Sequence, residues 1–308
     1  LLATSADLDN IRLANLLNYD ILAMFSAEPL TRADLLVIST FDQLKKFVNE
    51  KKVRTLVLSE TYRDKALLTQ LFSNLPLTLR YISFINLVEE TTKKIPVTLT
   101  NEAWILENIS RPESKWNTTL KRIVDLVAGL IGALAALVIY PFVALAIKLD
   151  SPGMVIYRQA RVGKNGQSFN LYKFRTMRLD AEKEGPQWAT LNDSRITRVG
   201  RFLRNSYLDE FPQFVNILKG DISLVGPRPE RAEFISKLVQ EIPFYNTRFL
   251  VKPGLTGWAQ VNYRASSTID EAKTKFEYDL YYIKNRSIIL DLGIIFKTIR
   301  PLFLKTLN

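Results

Sequence analysis

Residues 205–230 read NSYLDEFPQFVNILKGDISLVGPRPE, and the adjacent carboxylates Asp209 and Glu210 are the groups here best suited to chemistry. The chain of 308 residues contains neither histidine nor cysteine. It therefore has no imidazole base, no thiol nucleophile and no Cys or His zinc site, and acid, base and metal chemistry fall to Asp, Glu, Lys and Tyr. Neighbouring residues on a helix point about 100° apart, so both carboxylates cannot flank one bond as a glycosidase pair does. One can attack while the other holds a divalent ion, and oxygen ligands are what Mg²⁺ takes. The plain alternative is an exposed helix turn; the apolar Leu208, Phe211 and Pro212 and the arginines upstream weigh against it.

Cations crowd the same region. The stretch YRQARVGKNGQSFNLYKFRTM carries Arg158, Arg161, Lys164, Lys173 and Arg175, and NDSRITRVGRFLRNS adds Arg195, Arg198, Arg201 and Arg204. A guanidinium fork matches phosphate oxygens, and glycine lets backbone amides approach them. The net charge is +11, yet residues 1–110 hold 12 basic against 13 acidic residues, so the whole excess lies beyond them. Such a surface suits nucleic acid, anionic lipid or phosphorylated substrates, with a merely solvated surface as the alternative.

The elements that must position these groups fall into parts. In residues 1–108, helical patterns (DLDNIRLANLL, FDQLKKFVNE, YRDKALLTQLF) alternate with strand patterns (DILAMF, DLLVIST, VRTLVLS, LTLRYISF). That alternation predicts an α/β fold with a Rossmann-like parallel sheet. Residues 5–75 contain no glycine and no G-x-G-x-x-G fingerprint, which argues against a bound dinucleotide and for a regulatory or oligomerising module. The opening LLATSAD has neither Met nor a signal pattern, so we read this domain as cut at its N-terminal side from a longer chain. A linker is expected at 109–120, ahead of a helix at 121–150 and a helix-rich α+β domain at 151–308.

From Ile123 to Ile147 run 25 residues with one charge, Asp125, long enough to cross a bilayer. Pro141 removes a helix hydrogen bond, and basic residues flank both ends, Lys121 and Arg122 before and Lys148 after. These features predict a helix that enters one leaflet, bends and leaves by the same face; a buried soluble helix is the alternative. The tail, with Ile, Leu and Phe among Lys297, Arg300 and Lys305, suits either an interfacial amphipathic helix or a core helix.

Several stretches occur in order: KRIVDLVAGL, IKLDSPGMVIYRQARVGKNGQSF, YKFRTM, RITRVGRFLRNSYLDEFPQFVNILKGDISLVGPRPE and VKPGLTGWAQVN. On them, the chain from about Lys121 onward resembles the bacterial sugar transferase family, the monotopic polyprenyl-phosphate phosphoglycosyltransferases. Residues 1–108 look like the Rossmann-like accessory domain of the larger members, which usually follows transmembrane helices. The resemblance implies transfer of sugar-1-phosphate, with glucose favoured, from a UDP-sugar to undecaprenyl phosphate with release of UMP. That reaction initiates exopolysaccharide, capsule or O-antigen synthesis at the cytoplasmic face of the bacterial inner membrane.

By the same resemblance Asp209 attacks the sugar-bearing phosphate to give a covalent phosphosugar, and Glu210, with Asp209, is associated with Mg²⁺. Substrate contacts are expected from Arg204 and Arg228, then Lys173 and Arg175, then Arg158. Pro141 matches the helix-breaking position, and Lys121, Arg122 and Asp125 match the anchoring start of the membrane helix. Asp221 is either a metal or hydrogen-bonding group or a cap, and Trp258 is read as core before stacking platform. Expected partners are membrane lipids, a second copy in a homodimer and downstream glycosyltransferases. Nucleic acid is excluded, since binding it would need no apolar run. Two alternatives stand: direct transfer in a ternary complex with Asp209 as base, and a non-catalytic membrane protein that binds phospholipid or nucleotide.

Overall fold

The computed structural model describes residues 23–25, 36–58, 65–76, 78–109, 114–183, 185, 193–263 and 268–305. The chain divides into two units, Leu1–Glu102 and Ala103–Asn308, so the division falls at Glu102 rather than at residue 108.

In the first unit, strand β1 (Met24–Phe25) pairs in parallel with β2 (Val37–Ile38), and β3 (Thr55–Leu58) pairs in parallel with β4 (Arg80–Ser83). Helices α1 (Phe41–Glu50), α2 (Lys65–Asn74) and α3 (Phe84–Thr92) alternate with them. The Thr40 hydroxyl caps α1 by accepting from the Gln43 amide, and Leu44 and Val48, one turn apart, enter a core with Phe25, Ile38, Leu56 and Leu71. The mixed α/β character agrees with the sequence pattern, but the described strands pair only two by two, too few to define a Rossmann-like sheet. The helix expected from DLDNIRLANLL lies outside the described residues.

Helix α4 (Glu102–Asn108) begins at that division, and α5 (Lys115–Asp150) opens the rest of the second unit. Helix α5 starts earlier than the expected residue 121, because nothing between Ser114 and Gly129 is glycine or proline. Pro141, where a break was expected, lies inside it; one backbone donor is lost there and the helix continues. Its buried residues Asp125, Gly129, Gly132, Ala136, Val143 and Ile147 form a single stripe. Away from that stripe Ile131, Leu134, Leu137, Val138, Phe142 and Leu145 are exposed. Among the described residues this is the one helix long and apolar enough to cross a membrane.

An antiparallel hairpin follows, β5 (Ile156–Val162) on β6 (Ser168–Phe174), turning through Asn165 and Gly166 at φ 57° and 75°. Helices α6 (Arg198–Asn205) and α7 (Gln213–Lys219) lead to β7 (Ser223–Val225). After α8 (Ala232–Glu241), β8 (Gly254–Thr256) pairs with β7 in parallel. Helices α9 (Trp258–Asn262), α10 (Ile269–Asn285) and α11 (Ile288–Lys305) complete the unit. Helix α10 starts on a capping box of Thr268 and Glu271. Helix α11 buries Asp291 and Ile294 while exposing Ile289, Leu292 and Phe296.

The stripe of α5 lies along the second unit. An added Cβ on Gly132 would stand 2.3 Å from the Phe214 ring, so only glycine admits that approach, and one added on Gly129 would stand 3.0 Å from Leu218, tighter than an ordinary contact. Further along, Val143 and Ile147 pack with Val155, Phe174 and Leu203. Both ends of the apolar run are fastened as well. Lys121 donates to the Val225 carbonyl at 2.9 Å and pairs with Asp291, and Arg122 donates to the carbonyls of Ile217 and Leu218, which end α7. Asp125 accepts from Ser223 Oγ and the Leu224 amide. At the far end Asp150 accepts from the Val199 amide at the start of α6.

Candidate active site

The carboxylate pair sits on a single 3-10 turn, Leu208–Glu210, rather than on an α-helix. Tyr207 enters that turn at φ 58°, a left-handed conformation uncommon outside glycine, and its carbonyl accepts from the Glu210 amide. Leu208 and Phe211 pack into the cluster built on Val143 and Ile147, while Pro212 sets the start of α7. Apolar flanks packed on α5 thus fix the turn, and the polar groups face the cations.

Those cations come from three segments. Lys173 on β6 donates to Glu210 Oε1 at 2.8 Å, and Arg228, between Pro227 and Pro229, donates to the same oxygen at 2.7 Å. Glu210 Oε2 accepts no hydrogen bond among the described residues. Asp209 lies 3.9 Å from Lys173 Nζ, and its carboxylate accepts no hydrogen bond from the described protein groups. Arg204 on α6 spends Nε on Thr176 Oγ1 at 2.9 Å, which leaves its terminal nitrogens to an anion. Three cations surround two carboxylates, a balance that favours a further anion.

The two carboxylates are held differently. Burial raises Asp209 above the usual carboxylate range, with Lys173 opposing that rise and Glu210 adding to it. Burial also acts upward on Glu210, but the adjacent Arg228 and Lys173 overcome it and hold that carboxyl well below the usual range. Burial lowers the Lys173 ammonium, against the pull of Glu210. The environment therefore separates a fixed, ionised Glu210 from a more basic, unengaged Asp209.

Of the expected substrate contacts, Arg204, Arg228 and Lys173 converge on the pair, and Arg175 and Arg158 do not. Arg175 is buried and donates to the carbonyls of Ser151 and Pro152, closing the exit from α5 where Gly153 takes φ 116°. Arg158 lies opposite Tyr172 in the hairpin register, whereas Lys173 lies opposite Tyr157; alternation puts Arg158 on the other face, 5.8 Å from the Tyr172 ring. Lys121, Arg122 and Asp125 bond main-chain and side-chain atoms of the second unit, so they join the helix to the rest of that unit instead of meeting lipid headgroups through those bonds. Asp221 accepts from Asn216 Nδ2 at 2.9 Å, a local bond. Trp258 is buried and stacked on Tyr281, as a core residue. Thr176, which orients Arg204, carried no signal in the sequence beyond its place next to Arg175.

Two carboxylates with three unengaged oxygens suit a divalent ion of the Mg²⁺ type. Among the described residues no cluster of three acidic side chains occurs, so phosphate oxygens and water would complete its shell.

Comparison with known proteins agrees with this geometry. A sequence model described as "Bacterial sugar transferase" matches residues 116–305. The UDP-N-acetylgalactosamine-undecaprenyl-phosphate N-acetylgalactosaminephosphotransferase of Aeromonas hydrophila is 46% identical over 183 residues, 59% of this chain and 43% of that protein. The UDP-glucose:undecaprenyl-phosphate glucose-1-phosphate transferase of Escherichia coli (strain K12) is 42% identical over 190 residues, 61% of this chain and 41% of that protein. A protein of the same description from Klebsiella pneumoniae is 34% identical over 271 residues, 83% of this chain and 57% of its own length. The chain thus spans less than two thirds of these relatives. With the matched region covering more than half of its residues and containing the whole site, the chain belongs to the bacterial sugar transferase family.

Proposed function

We propose that this protein transfers sugar-1-phosphate from a UDP-sugar to undecaprenyl phosphate, through a phosphosugar carried on Asp209. The observation that carries the proposal is the contrast within the pair: Glu210 is tied to Lys173 and Arg228, while among the described residues the Asp209 carboxylate accepts no hydrogen bond, and its pKa is raised by burial. A carboxylate with free lone pairs, stripped of water beside a lysine, is arranged to attack phosphorus.

An Asp209 oxygen attacks the phosphorus that bears the sugar, the bond from that phosphorus to the UMP oxygen breaks, and UMP departs. A polyprenyl phosphate oxygen then attacks the same phosphorus, the acyl phosphate bond breaks, and the Asp209 carboxylate returns. Arg204 and Arg228 take the charge of the diphosphate, and Lys173 keeps Glu210 ionised and in place. Asp209 and Glu210 Oε2 would hold Mg²⁺, which supplies neutralisation of phosphate charge when bound. Division into two half-reactions lets a soluble donor and a membrane-bound acceptor use one site in turn.

We read α5 as confined to one leaflet at the cytoplasmic face; it runs on through Pro141, and its packing against α7 is what supports the reading. If it crossed the bilayer, α7 with Asn216 and Lys219, packed along its stripe, would be drawn toward hydrocarbon. Glucose is the sugar we propose, following the Escherichia coli and Klebsiella pneumoniae relatives; N-acetylgalactosamine, from the Aeromonas hydrophila relative, is its competitor.

The test is intact-protein mass after incubation with Mg²⁺ and single UDP-sugars, without lipid acceptor. A hexose-phosphate adduct on the native chain and none on Asp209→Asn is expected. UMP release only when undecaprenyl phosphate is added, with no adduct for any sugar, would replace the covalent route with direct transfer. Silence in both assays would reject the enzyme reading.

A further inference from the structure

Four consecutive carbonyls of the turn that carries Arg228 are taken by donors from three separate segments of the second unit. The Pro227 oxygen accepts from the Gly254 amide at 2.9 Å and the Glu230 oxygen from the Val162 amide at 3.2 Å. Between them, the Arg228 oxygen accepts from Arg248 Nη2 at 2.9 Å, and the Pro229 oxygen from Arg161 Nη1 at 2.9 Å. Two of the four donors are therefore arginine side chains, from segments far apart in sequence.

Both arginines are themselves fixed. Arg248 pairs with Asp279 at 3.0 Å, their side chains 4% and 1% exposed, and donates to the Tyr245 hydroxyl at 2.6 Å. Arg161 donates its other terminal nitrogen to Gln159 Oε1 at 2.5 Å. Among the described residues each leaves its Nε buried without a partner, so neither environment is built to satisfy the whole guanidinium. A buried ion pair of this kind is weak ground for stability, since well-packed apolar residues often do as well. What the forks do reach is the backbone on either side of one residue. Prolines fix φ on both sides of Arg228, so with the carbonyls held little remains for it to vary except its side chain, which ends on Glu210.

We propose that Arg161 and Arg248 are positioning residues for the transfer, holding the turn so that the Arg228 guanidinium stays on Glu210. The inference rests on the function proposed for the acidic pair. Neither arginine bonds Asp209 or Glu210; each acts through Arg228. Once the turn loosens, the Arg228 guanidinium is no longer held on Glu210 and is no longer presented in a fixed place to the diphosphate.

The test uses the whole chain in lipid nanodiscs, with Arg161→Lys and Arg248→Lys made singly and each combined with Arg228→Ala. Lysine keeps the charge and removes the fork. UMP release from undecaprenyl phosphate and varied UDP-glucose is followed to separate kcat from KM, and hydrogen exchange is read on peptides spanning 226–232. The single variants are expected to lose about ten- to a hundredfold in kcat, with donor KM within about threefold. On the Arg228→Ala background the same changes should cost little more, because the pathway through Arg228 is already gone. Exchange in 226–232 should quicken. Losses that multiply with Arg228→Ala, an unchanged kcat, or unchanged exchange would each overturn the proposal. Should the native protein release no UMP, the function itself falls, whereas the exchange rates still decide whether these arginines hold the turn.

Discussion

Lys173 Nζ stands 2.8 Å from Glu210 Oε1 and 3.9 Å from Asp209 Oδ2, close enough to bond one carboxylate and only to bias the other. One ammonium thus serves two neighbours in different ways, and separate substitutions should show it.

Asp209→Asn removes the attacking oxygen, and overall transfer is expected to fall by about 10⁴-fold or more, with loss of the mass adduct. Glu210→Gln should retain adduct formation while slowing it by about 10²- to 10³-fold, the range for removing one preorganised electrostatic group. Single-turnover UMP release measures both. Equal rates for the two variants would contradict the division of roles.

Lys173→Met should move the acid limb of kcat/KM to higher pH. Lys173 is the largest influence lowering the Asp209 carboxyl, which burial raises, so its removal leaves the nucleophile protonated at higher pH. Activity appears as Asp209 loses its proton, and the variant should therefore need a more alkaline solution to reach its plateau. A pH–rate series on native and variant protein decides; a limb that moves down in pH would refute the assignment.

Acid stability should depend on Glu230. Its side chain pairs with Lys275 at 2.5 Å, and, against burial, Lys275 and Arg248 hold its pKa at about 2. A carboxyl depressed in the folded state stabilises fully above its unfolded value of 4.5, and that contribution is lost as pH falls from there toward about 2. Glu230→Gln is expected to lower stability at pH 7 by about 3–5 kcal/mol, the cost of breaking a buried pair. The difference from native protein should shrink between pH 4.5 and 2 in thermal denaturation.

Gly132→Val would drive carbon into the Phe214 ring, which an added Cβ already meets at 2.3 Å. A loss of about 1–3 kcal/mol is expected from the overpacking, and Phe214→Ala in the same chain should recover part of it. Thermal denaturation of the single and double variants checks the contact directly.

The acidic pair and the apolar helix stood out locally, one by adjacent carboxylates among cations, the other by its apolar run, but the helix expected at 121–150 begins at Lys115 and continues through Pro141. Lys173 and Arg228 followed from the motifs that carry them. Arg175, expected at the substrate with Lys173 from the KFRTM stretch, follows the end of β6 at Phe174, and its guanidinium turns to Ser151, a bond no local pattern announces. The bonding of Lys121, Arg122 and Asp125 was hidden for a different reason: their partners lie about a hundred residues or more away, and charges beside an apolar run read equally well as lipid contacts. Arg248, a lone basic residue in NTRFL, gave no sign that it grips a carbonyl twenty positions earlier.

Helix α5 is fastened at both ends and packed along its length, with Gly129 on Ile217 and Leu218, Gly132 on Phe214, and Val143 and Ile147 on Phe174 and Leu203. It is a wall of the enzyme as much as a mooring. Trimming it to obtain a water-soluble version would strip the support from beneath Leu208 and Phe211 and unseat the turn between them. Any preparation meant to keep the chemistry has to keep the helix, together with something greasy to cover its outward side.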